Sequence, residues 1–518
     1  MSSHGDHKSS TEGGGIEKST ATNIEHLEKS HDTVVEFDDS IEETKPSKSV
    51  WLITFTVAMG GFLFGYDTGV ISAVLVTIGD DLGHNLDSHE QELITSITSG
   101  GALIGALMAG LPADKYGRKL GIYIGCFLFL VGSFIQAAAF NIAAMTAGRL
   151  IVGFGVGSAA MIIPLYIGEL APARYRGRMI AFDNLSVTLG QLVSYGLGAA
   201  LTDVPHGWRY MVAIGGIPPI ILAALLPQCP ESPRQLIAHG KRDEAEKCLR
   251  RVYPAATEEQ LRSKLERLVW TVKVESSVVA GKSLWWQFKQ LHCVPSNLRA
   301  LVCACTVMAI SQLGGFNKPT AVAIVVGATN FIFTFVNLVV IDKLGRRIIL
   351  LVTVLGMALS MIIAAVAFHW IPISKDLVLQ ADSVNWAGIV VLVTIIFYVA
   401  FFATGVATIG WVGTELLPLE VRALGTMMNT VTCWSCNLII ASTFLSMMKS
   451  MTPSGAFGFY AGICFFGWIF VIFFYPEVKG LPLEEVRKVF ENGFDVKLAK
   501  QMQRDLKISS QASVAFKA

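Results

Sequence analysis

Charged residues are few in this sequence: they make up only 16% of its 518 positions, and the formal net charge is +1. Soluble globular domains ordinarily carry about 25%. Hydrophobic residues make up 52% of the chain, and the mean hydropathy is +0.53. This balance argues against a water-soluble protein and favours one that crosses a membrane many times.

Cysteines are scattered as well. None of the nine has the spacing of a metal site or a disulfide framework. We therefore expect the cysteines to act as small apolar residues of the core, and we expect no metal and no cofactor. We also expect no cleavable secretion signal, because residues 1–49 are mainly polar and predict a disordered tail.

Long apolar stretches dominate the rest of the chain. Each is close to the roughly 20 residues that cross about 30 Å of hydrocarbon. They predict an all-α membrane protein with transmembrane helices at 51–77, 93–113, 119–140, 143–167, 179–201, 209–228, 298–317, 321–341, 346–370, 384–412, 422–447 and 456–475.

Basic residues are concentrated in one set of loops, which include DKYGRK, DKLGRR and the central segment. The opposite set has few, and its first loop, TIGDDLGHNLDSHEQE, has none. Because Lys and Arg near helix ends remain in the cytoplasm, we expect both termini to be cytoplasmic.

The chain also repeats itself. DKYGRK at 114–119 returns as DKLGRR at 342–347, and PESPR at 230–234 returns as PEVKG at 476–480. Parallel halves with a site between them are typical of rocking secondary transporters. We therefore expect an N-terminal tail, two six-helix bundles joined by a helical cytoplasmic segment, and a C-terminal tail, at 1–49, 50–230, 231–297, 298–478 and 479–518.

Nine segments together resemble the sugar porter family of the major facilitator superfamily: GYDTGVIS, DKYGRK, GRLIVGFGVG, PLYIGELAPARYRGR, GQLVSYGLG, PESPR, DKLGRR, ELLPLEVRALG and PEVKG. The resemblance covers residues 51 to about 490 and implies 12 transmembrane helices in two six-helix halves. DTGVISAVLVTIGDDLG and TELLPLEVRALGT are most similar to fungal myo-inositol permeases. The implied function is myo-inositol/proton symport, not enzymatic catalysis; a hexose or other sugar carrier, whether symporter or facilitator, is the alternative.

The resemblance also implies the setting. We expect a monomeric plasma-membrane protein whose partners are a polyol or sugar, protons and membrane lipid, with no nucleic acid.

Asp67 is a carboxylate inside the first apolar stretch, where a charge costs about 2.5 to 3.5 kcal/mol. Arg149, at the start of the fourth, is the expected partner. Proton symporters of the resembled family have an acid and an arginine at these positions, which implies that Asp67 carries the coupled proton. A static structural ion pair is the alternative.

Neutral amides and aromatic rings suit a polyol, which has many hydroxyls and few apolar faces. The positions that match the family's substrate residues are Gln191, Gln312, Asn317, Asn330, Trp411 and Trp434. Any single amide in a membrane helix can instead hold helices together. The chain departs from the family at Ser311 and Cys433, and the segment GVATIGW offers only Gly405 and Gly410 as flexible points.

Charged residues at the expected cytoplasmic helix ends imply, through the resemblance, a gate that closes that side. Its members are Asp114, Arg118, Glu169, Arg176, Asp342, Arg346, Glu415 and Arg422. Retention of positive charge in the cytoplasm is the simpler explanation for the neighbouring Lys115, Arg178 and Lys343.

The seventh helix is predicted to be shortened. Asp67 lies 47 positions before Asp114, whereas Asn317 lies only 25 positions before Asp342. The outer part of helix 7 and its following loop are replaced by Lys318-Pro319-Thr320. A nutrient sensor that binds without transport, or an inactive variant, therefore remains an alternative to a transporter.

Overall fold

The computed structural model describes residues 41, 47–172, 175–279, 284–313, 320–371, 386–417, 421–479, 483–491 and 493–504. Every regular element within these ranges is helical. Ten helices there are long and apolar enough to cross a membrane. Two further long helical stretches, residues 176–201 and 422–445, are not among these ten.

The first half contains six crossings, the last of them in two pieces. An Asp87 and Glu90 capping box begins the second crossing, and Gly215-Gly216 interrupts the sixth before Pro218 and Pro219, which a first helical turn tolerates. The helices are α1 Lys48–Thr77, α2 Ser88–Tyr116, α3 Arg118–Ala137, α4 Ile142–Leu170, α5 Arg176–Leu201, α6 Gly207–Ile214 and α7 Ile217–Leu225.

Four further helices follow in the segment between the halves. They are α8 Pro233–Ala238, α9 Arg242–Val252, α10 Glu258–Val279 and α11 Leu284–Cys293. The apolar face of α9, including Cys248 and Leu249, joins the core of the first half. Ser47, just before α1, donates a hydrogen bond from its hydroxyl to the Arg251 carbonyl at 2.9 Å, which ties this segment to the bundle.

The second half repeats the arrangement. Gly405 separates α15 from α16, as its predicted flexibility suggested, whereas Gly410 lies inside α16. Thr452, with φ 65° and ψ 157°, divides α17 into a first limb, 422–451, and a second limb, 453–474. The helices are α12 Pro295–Leu313, α13 Thr320–Leu344, α14 Arg346–Phe368, α15 Trp386–Thr404, α16 Val406–Val412, α17 Arg422–Phe474 and α18 Leu483–Glu491.

The shortening predicted for helix 7 concerns residues outside the described ranges. The structure describes α12 up to Leu313 and α13 from Thr320, so Asn317 and its neighbours at 314–319 are not included. The length of this helix therefore stays a prediction.

Each half has its own hydrophobic core. One cluster of buried residues runs from Leu291 to Ala499, and another from Ile41 to Leu265. Trp434 of α17 is the single second-half residue among the buried members described for the first-half cluster. The halves are thus separate packing units joined along a narrower interface.

The repeated motifs form the same helix cap twice. Glu231 accepts hydrogen bonds from the N–H groups of Arg118 and Lys119 at the start of α3. Glu477 accepts one from the N–H of Arg347 at the start of α14. The preceding glycines, Gly117 and Gly345, have φ of 98° and 88°. A side chain at either glycine would meet the capping carboxylate, which explains why the repeat contains glycine there.

The loop between α1 and α2 is held by one carboxylate. Oδ2 of Asp81 accepts a hydrogen bond from Trp208 Nε1 at 2.6 Å and lies 2.6 Å from Nδ1 of His206. The interactions with His206 and Trp208 hold the pKa of Asp81 below its ordinary value. This stabilisation is present at neutral pH and is lost as the pH falls through the lowered pKa.

We expect Gly117→Ala to lower the stability of the purified protein by about 2 kcal/mol more than Gly79→Ala does. An added Cβ at Gly117 would lie 2.7 Å from Glu231 Oε2, whereas Gly79, also at positive φ, has no neighbour within 4 Å. Thermal unfolding in detergent measures the difference. Equal losses would show that Glu231 moves aside without cost.

Candidate functional site

The bundle has two ends. The termini face is the end at which α1 begins and α17 ends, and the opposite face is the other end. Within the described residues, side-chain hydrogen bonds between the halves join α2 and α5 of the first half to α13, α16 and α17 of the second. The candidate site lies along this interface.

Asp67 and Arg149 form a buried ion pair between α1 and α4. Arg149 Nη1 donates to Asp67 Oδ1 at 2.7 Å, and only 3% of the arginine side chain and 8% of the aspartate side chain are exposed. Arg149 Nε also donates to the Ile94 carbonyl of α2 at 3.3 Å. The structure therefore brings together the two residues that the sequence predicted as partners, 82 positions apart.

Amide side chains form two hydrogen-bonded pairs at the interface, and one of these pairs crosses it. Asn330 of α13 donates from Nδ2 to Gln191 Oε1 of α5 at 3.0 Å. Asn437 of α17 donates to Gln312 Oε1 of α12 at 3.1 Å and accepts a hydrogen bond from Ser99 of α2 at 3.0 Å. Three predicted substrate residues thus lie in two amide pairs. Asn437 was missed, although its position in the same apolar stretch as Trp434 was a usable signal.

An open cavity lies between α1, α4, α5 and α16. Trp411 and Thr408 line it from the second half, and Asp183 and Asn184 from the first. Asn184 Nδ2 donates to Thr408 Oγ1 at 2.9 Å. At 1.5 Å per residue, Asp183 lies about 12 Å nearer than Gln191 to the termini face along α5. The cavity therefore occupies the termini-side half of the bundle.

Trp434 is placed differently from the other predicted substrate residues. It is 2% exposed, and its ring meets that of Phe64 edge-on at 5.1 Å. Its Nε1 has no hydrogen-bond partner among the described residues. Since Phe64 lines the cavity, Trp434 lies one side chain behind the cavity wall.

The predicted gate residues are described only in part. Glu169 accepts two hydrogen bonds from Arg118, at 2.8 Å from Nη2 and at 3.3 Å from Nε, in a nearly buried pair. Arg346 is buried at the start of α14. The side chains of five others lie outside the described part of the structure: Asp114, Arg176, Asp342, Glu415 and Arg422.

A contact at the opposite face was not predicted. The N–H and hydroxyl of Ser446 donate to Glu92 Oε1 at 2.9 and 3.0 Å, and Lys449 Nζ donates to Ser88 Oγ at 2.7 Å. These contacts hold α2 against the first limb of α17, so the halves touch at this face. Ser88 and Glu92 belong to the acidic segment TIGDDLGHNLDSHEQE, from which the sequence predicts only the orientation in the membrane.

Metal ligands are not grouped in the described parts of the chain: no cluster of three or more His, Cys, Asp or Glu side chains occurs there. The described polar contacts along the interface are hydrogen bonds of amides, hydroxyls and the Glu92 carboxylate.

Two six-helix halves with a polar interface and a cavity between them define a membrane transporter built from repeated halves. The chain matches the sequence profile of the family described as "Sugar (and other) transporter" over residues 53–490, and it belongs to that family.

Individual relatives agree with this. The chain is 43% identical over 482 residues to myo-inositol transporter 1 of Cryptococcus neoformans, covering 89% of this chain and 85% of that protein. It is 40% identical over 491 residues to myo-inositol transporter 1 of Candida albicans, covering 90% and 88%. The E. coli proton:xylose symporter XylE of the major facilitator superfamily has the same fold, with a TM-score of 0.72 and 26% identity over 85% of this chain and 99% of that one. The predicted resemblance, fold class and assignment as a transporter are confirmed.

We expect Asp67→Asn to destabilise the protein by about 3 to 5 kcal/mol, because it leaves Arg149 buried without a counter-charge. Replacing both residues, as Asp67→Asn with Arg149→Met, is expected to recover most of this loss. Glu258→Gln, which breaks an exposed pair with Arg250, should cost less than about 1 kcal/mol. Melting temperatures in detergent measure all three. A double variant no more stable than Asp67→Asn would contradict this view of the pair.

Proposed function

We propose that this chain carries myo-inositol together with protons across a membrane by alternating exposure of the interface between its halves. The Gln191–Asn330 amide pair, which joins the halves, supports the proposal most directly. The names of the myo-inositol transporters and of the proton:xylose symporter to which the chain is similar agree with it.

Neutral amide pairs suit a polyhydroxy substrate. Each amide has both a donor and an acceptor, so a cyclic polyol can exchange its hydroxyls for the partner amide. An amide–amide hydrogen bond contributes only about 0.5 to 1.5 kcal/mol net. Replacing it by hydrogen bonds to a substrate hydroxyl therefore changes the free energy little. Gln191, Gln312 and Asn330 are therefore proposed to bind substrate, as is Asn317. Trp411 supplies apolar surface for a ring face. Trp434, predicted to do the same, supports the cavity wall from behind through Phe64.

The Asp67–Arg149 pair is proposed to couple transport to protons. Protonation of Asp67 removes its charge and weakens its bond to Arg149, which also contacts the backbone of α2. Because α2 carries the opposite-face contact to α17, a change at the pair can alter how the halves meet. Proton binding and opening of the interface are thereby linked.

The termini face is proposed to be cytoplasmic, because the basic loops lie there. Arg118 and Glu169 then form part of a cytoplasmic gate, with the corresponding second-half residues opposite. The proposal includes a monomer in the plasma membrane, with the tails and the segment 231–297 on the cytoplasmic side.

In cells that lack their own carrier, we expect the native chain to concentrate labelled myo-inositol and a protonophore to abolish the accumulation. Asp67→Asn should equilibrate myo-inositol without concentrating it, because an amide cannot carry the proton. Glu258→Gln serves as the control, and uptake is normalised to protein at the cell surface. Concentrative uptake by Asp67→Asn would refute the coupling role. No uptake by surface-located native protein would refute transport and favour the sensor or inactive alternatives.

Asn330→Ala should raise the half-saturating concentration of myo-inositol about tenfold, since it removes one amide from the interface. Asn337→Ala is a matched control on the same helix, because Asn337 is buried and bonds to the Ala403 carbonyl within the second half. The control should lower thermal stability but leave half-saturation nearly unchanged. Equal shifts in half-saturation would contradict a substrate role for Asn330.

A further inference from the structure

Ser99 of α2 bonds to the second half of the protein near the middle of the membrane. It lies 11 positions after Ser88, where α2 begins. At 1.5 Å per residue this is about 16 Å along a helix that has to cross about 30 Å of hydrocarbon. The residue is only 6% exposed, and its Oγ donates a hydrogen bond to Asn437 Oδ1 of α17 at 3.0 Å. Ser99 therefore connects the first half to one of the two amide pairs.

Neighbouring hydroxyl groups of the same helix behave differently. The Thr95 hydroxyl donates to the Gln91 carbonyl at 2.8 Å. The Ser96 hydroxyl donates to the Leu93 carbonyl at 3.4 Å. Bonds to a carbonyl three or four residues earlier are a common arrangement for a hydroxyl inside a helix. Ser99 instead gives its hydroxyl hydrogen to the second half, so its contact serves the interface and not its own helix.

Asn437 transmits this contact to Gln312. Its Nδ2 donates to Gln312 Oε1 of α12 at 3.1 Å. The carbonyl end of Asn437 is thus held by Ser99, and its amino end is held by Gln312. Because both ends are bonded, the Asn437 amide cannot rotate without breaking a hydrogen bond. The Gln312 side chain is oriented in turn, since its oxygen is directed toward Asn437.

The other end of the Gln312 amide remains available to a ligand. Gln312 is partly exposed, and its side-chain hydrogen bond within the described residues involves Oε1 and leaves Nε2 unused. An amide NH2 group can donate to a substrate hydroxyl. Such a group binds best when a supporting hydrogen bond fixes its side-chain conformation. Here that support comes from Ser99 through Asn437.

We propose that Ser99 is a positioning residue for the substrate: it fixes Asn437, which orients Gln312 so that Nε2 donates to one hydroxyl of the bound polyol. Ser99 belongs to the first half, whereas both amides belong to the second. A side chain that binds substrate is therefore oriented from across the interface. This inference rests on the proposed polyol transport, and it adds a residue that controls the recognition of one hydroxyl.

Competition between labelled myo-inositol and analogues that each lack one hydroxyl tests this role, in cells without their own carrier. The measured ratio is the inhibition constant of an analogue divided by the half-saturating concentration of myo-inositol. Ser99→Ala should raise the half-saturating concentration about threefold to tenfold. The ratio should fall by a similar factor for the one analogue that lacks the hydroxyl bound by Gln312, because that analogue had no such bond to lose.

Two further substitutions at the same position grade the effect. Ser99→Thr keeps the hydroxyl and should restore the native half-saturating concentration and the native ratios. Ser99→Cys keeps nearly the same volume but donates only weakly, so its fall should be intermediate.

Two control variants separate this role from simpler ones. Ser96→Ala removes a serine hydroxyl of the same helix that is also 6% exposed. Ser446→Ala removes a hydroxyl from another contact between α2 and α17. Both variants should keep every ratio at its native value.

The outcomes are distinct. Unchanged ratios in Ser99→Ala, with normal native transport, would overturn the positioning role and leave the proposed function intact. An equal fall in Ser446→Ala would also overturn it, because Ser99 would then act only by holding the halves together. Failure of surface-located native protein to take up myo-inositol would overturn the proposed substrate and this inference together.

Discussion

The structure depends on one constraint: a polar side chain inside a bundle surrounded by hydrocarbon must find its partners within the protein. Arg149 meets this demand with Asp67 and a backbone carbonyl. Gln191 and Asn330 meet it with each other. Because one partner of the second pair belongs to each half, the same bond that satisfies an amide also holds the halves together. Separation of the halves therefore requires water or a polyhydroxy ligand to replace that partner.

The repeated halves share their scaffold but not their interior. Glu231 and Glu477 cap equivalent helices, so the helix ends are nearly symmetric. The ion pair of Asp67 with Arg149 and the carboxylate of Asp183 belong to the first half alone. Within the described residues, both halves thus supply amides and hydroxyls to the interface, while the first half adds these charged groups and the second adds Trp411 and Trp434. A division of this kind allows one half to respond to protons and the other to move against it.

Much of the fold could be predicted from the sequence because its signals are local. Apolar length gives the crossings, and the duplicated motifs at 114–119 and 342–347 give the two halves. The partnership of Asp67 and Arg149 was also predictable, since a buried charge of each sign limits the choices. Helix caps were readable for the same reason: Asp87 and Glu90 are three residues apart.

The interior of the site was less predictable because it depends on how distant helices pack. Glu92 and Ser446 are separated by 354 positions, and neither stands out in its own segment. Asn437 resembles any amide that joins two helices until Gln312 is seen beside it. Asp183 is visible in the sequence as a charge inside an apolar stretch. Only the packing shows that it lies against Gly61 and lines the cavity. The sequence predicts that Trp411 and Trp434 both bind substrate. Only the packing shows that Trp411 lines the cavity, whereas Trp434 lies behind Phe64.

The burial of Trp434 in the core of the opposite half has a consequence for the speed of transport. If the halves separate there, the indole must leave Phe64 and lose contact area, and fully exposing a large apolar side chain costs about 1.5 to 3 kcal/mol. If this cost is added to the activation free energy, because new contacts form only later, the step becomes about 10- to 150-fold slower. In the proposed cycle, the burial of Trp434 would therefore slow the step at which the halves separate, and a smaller ring at this position would lower its free-energy cost.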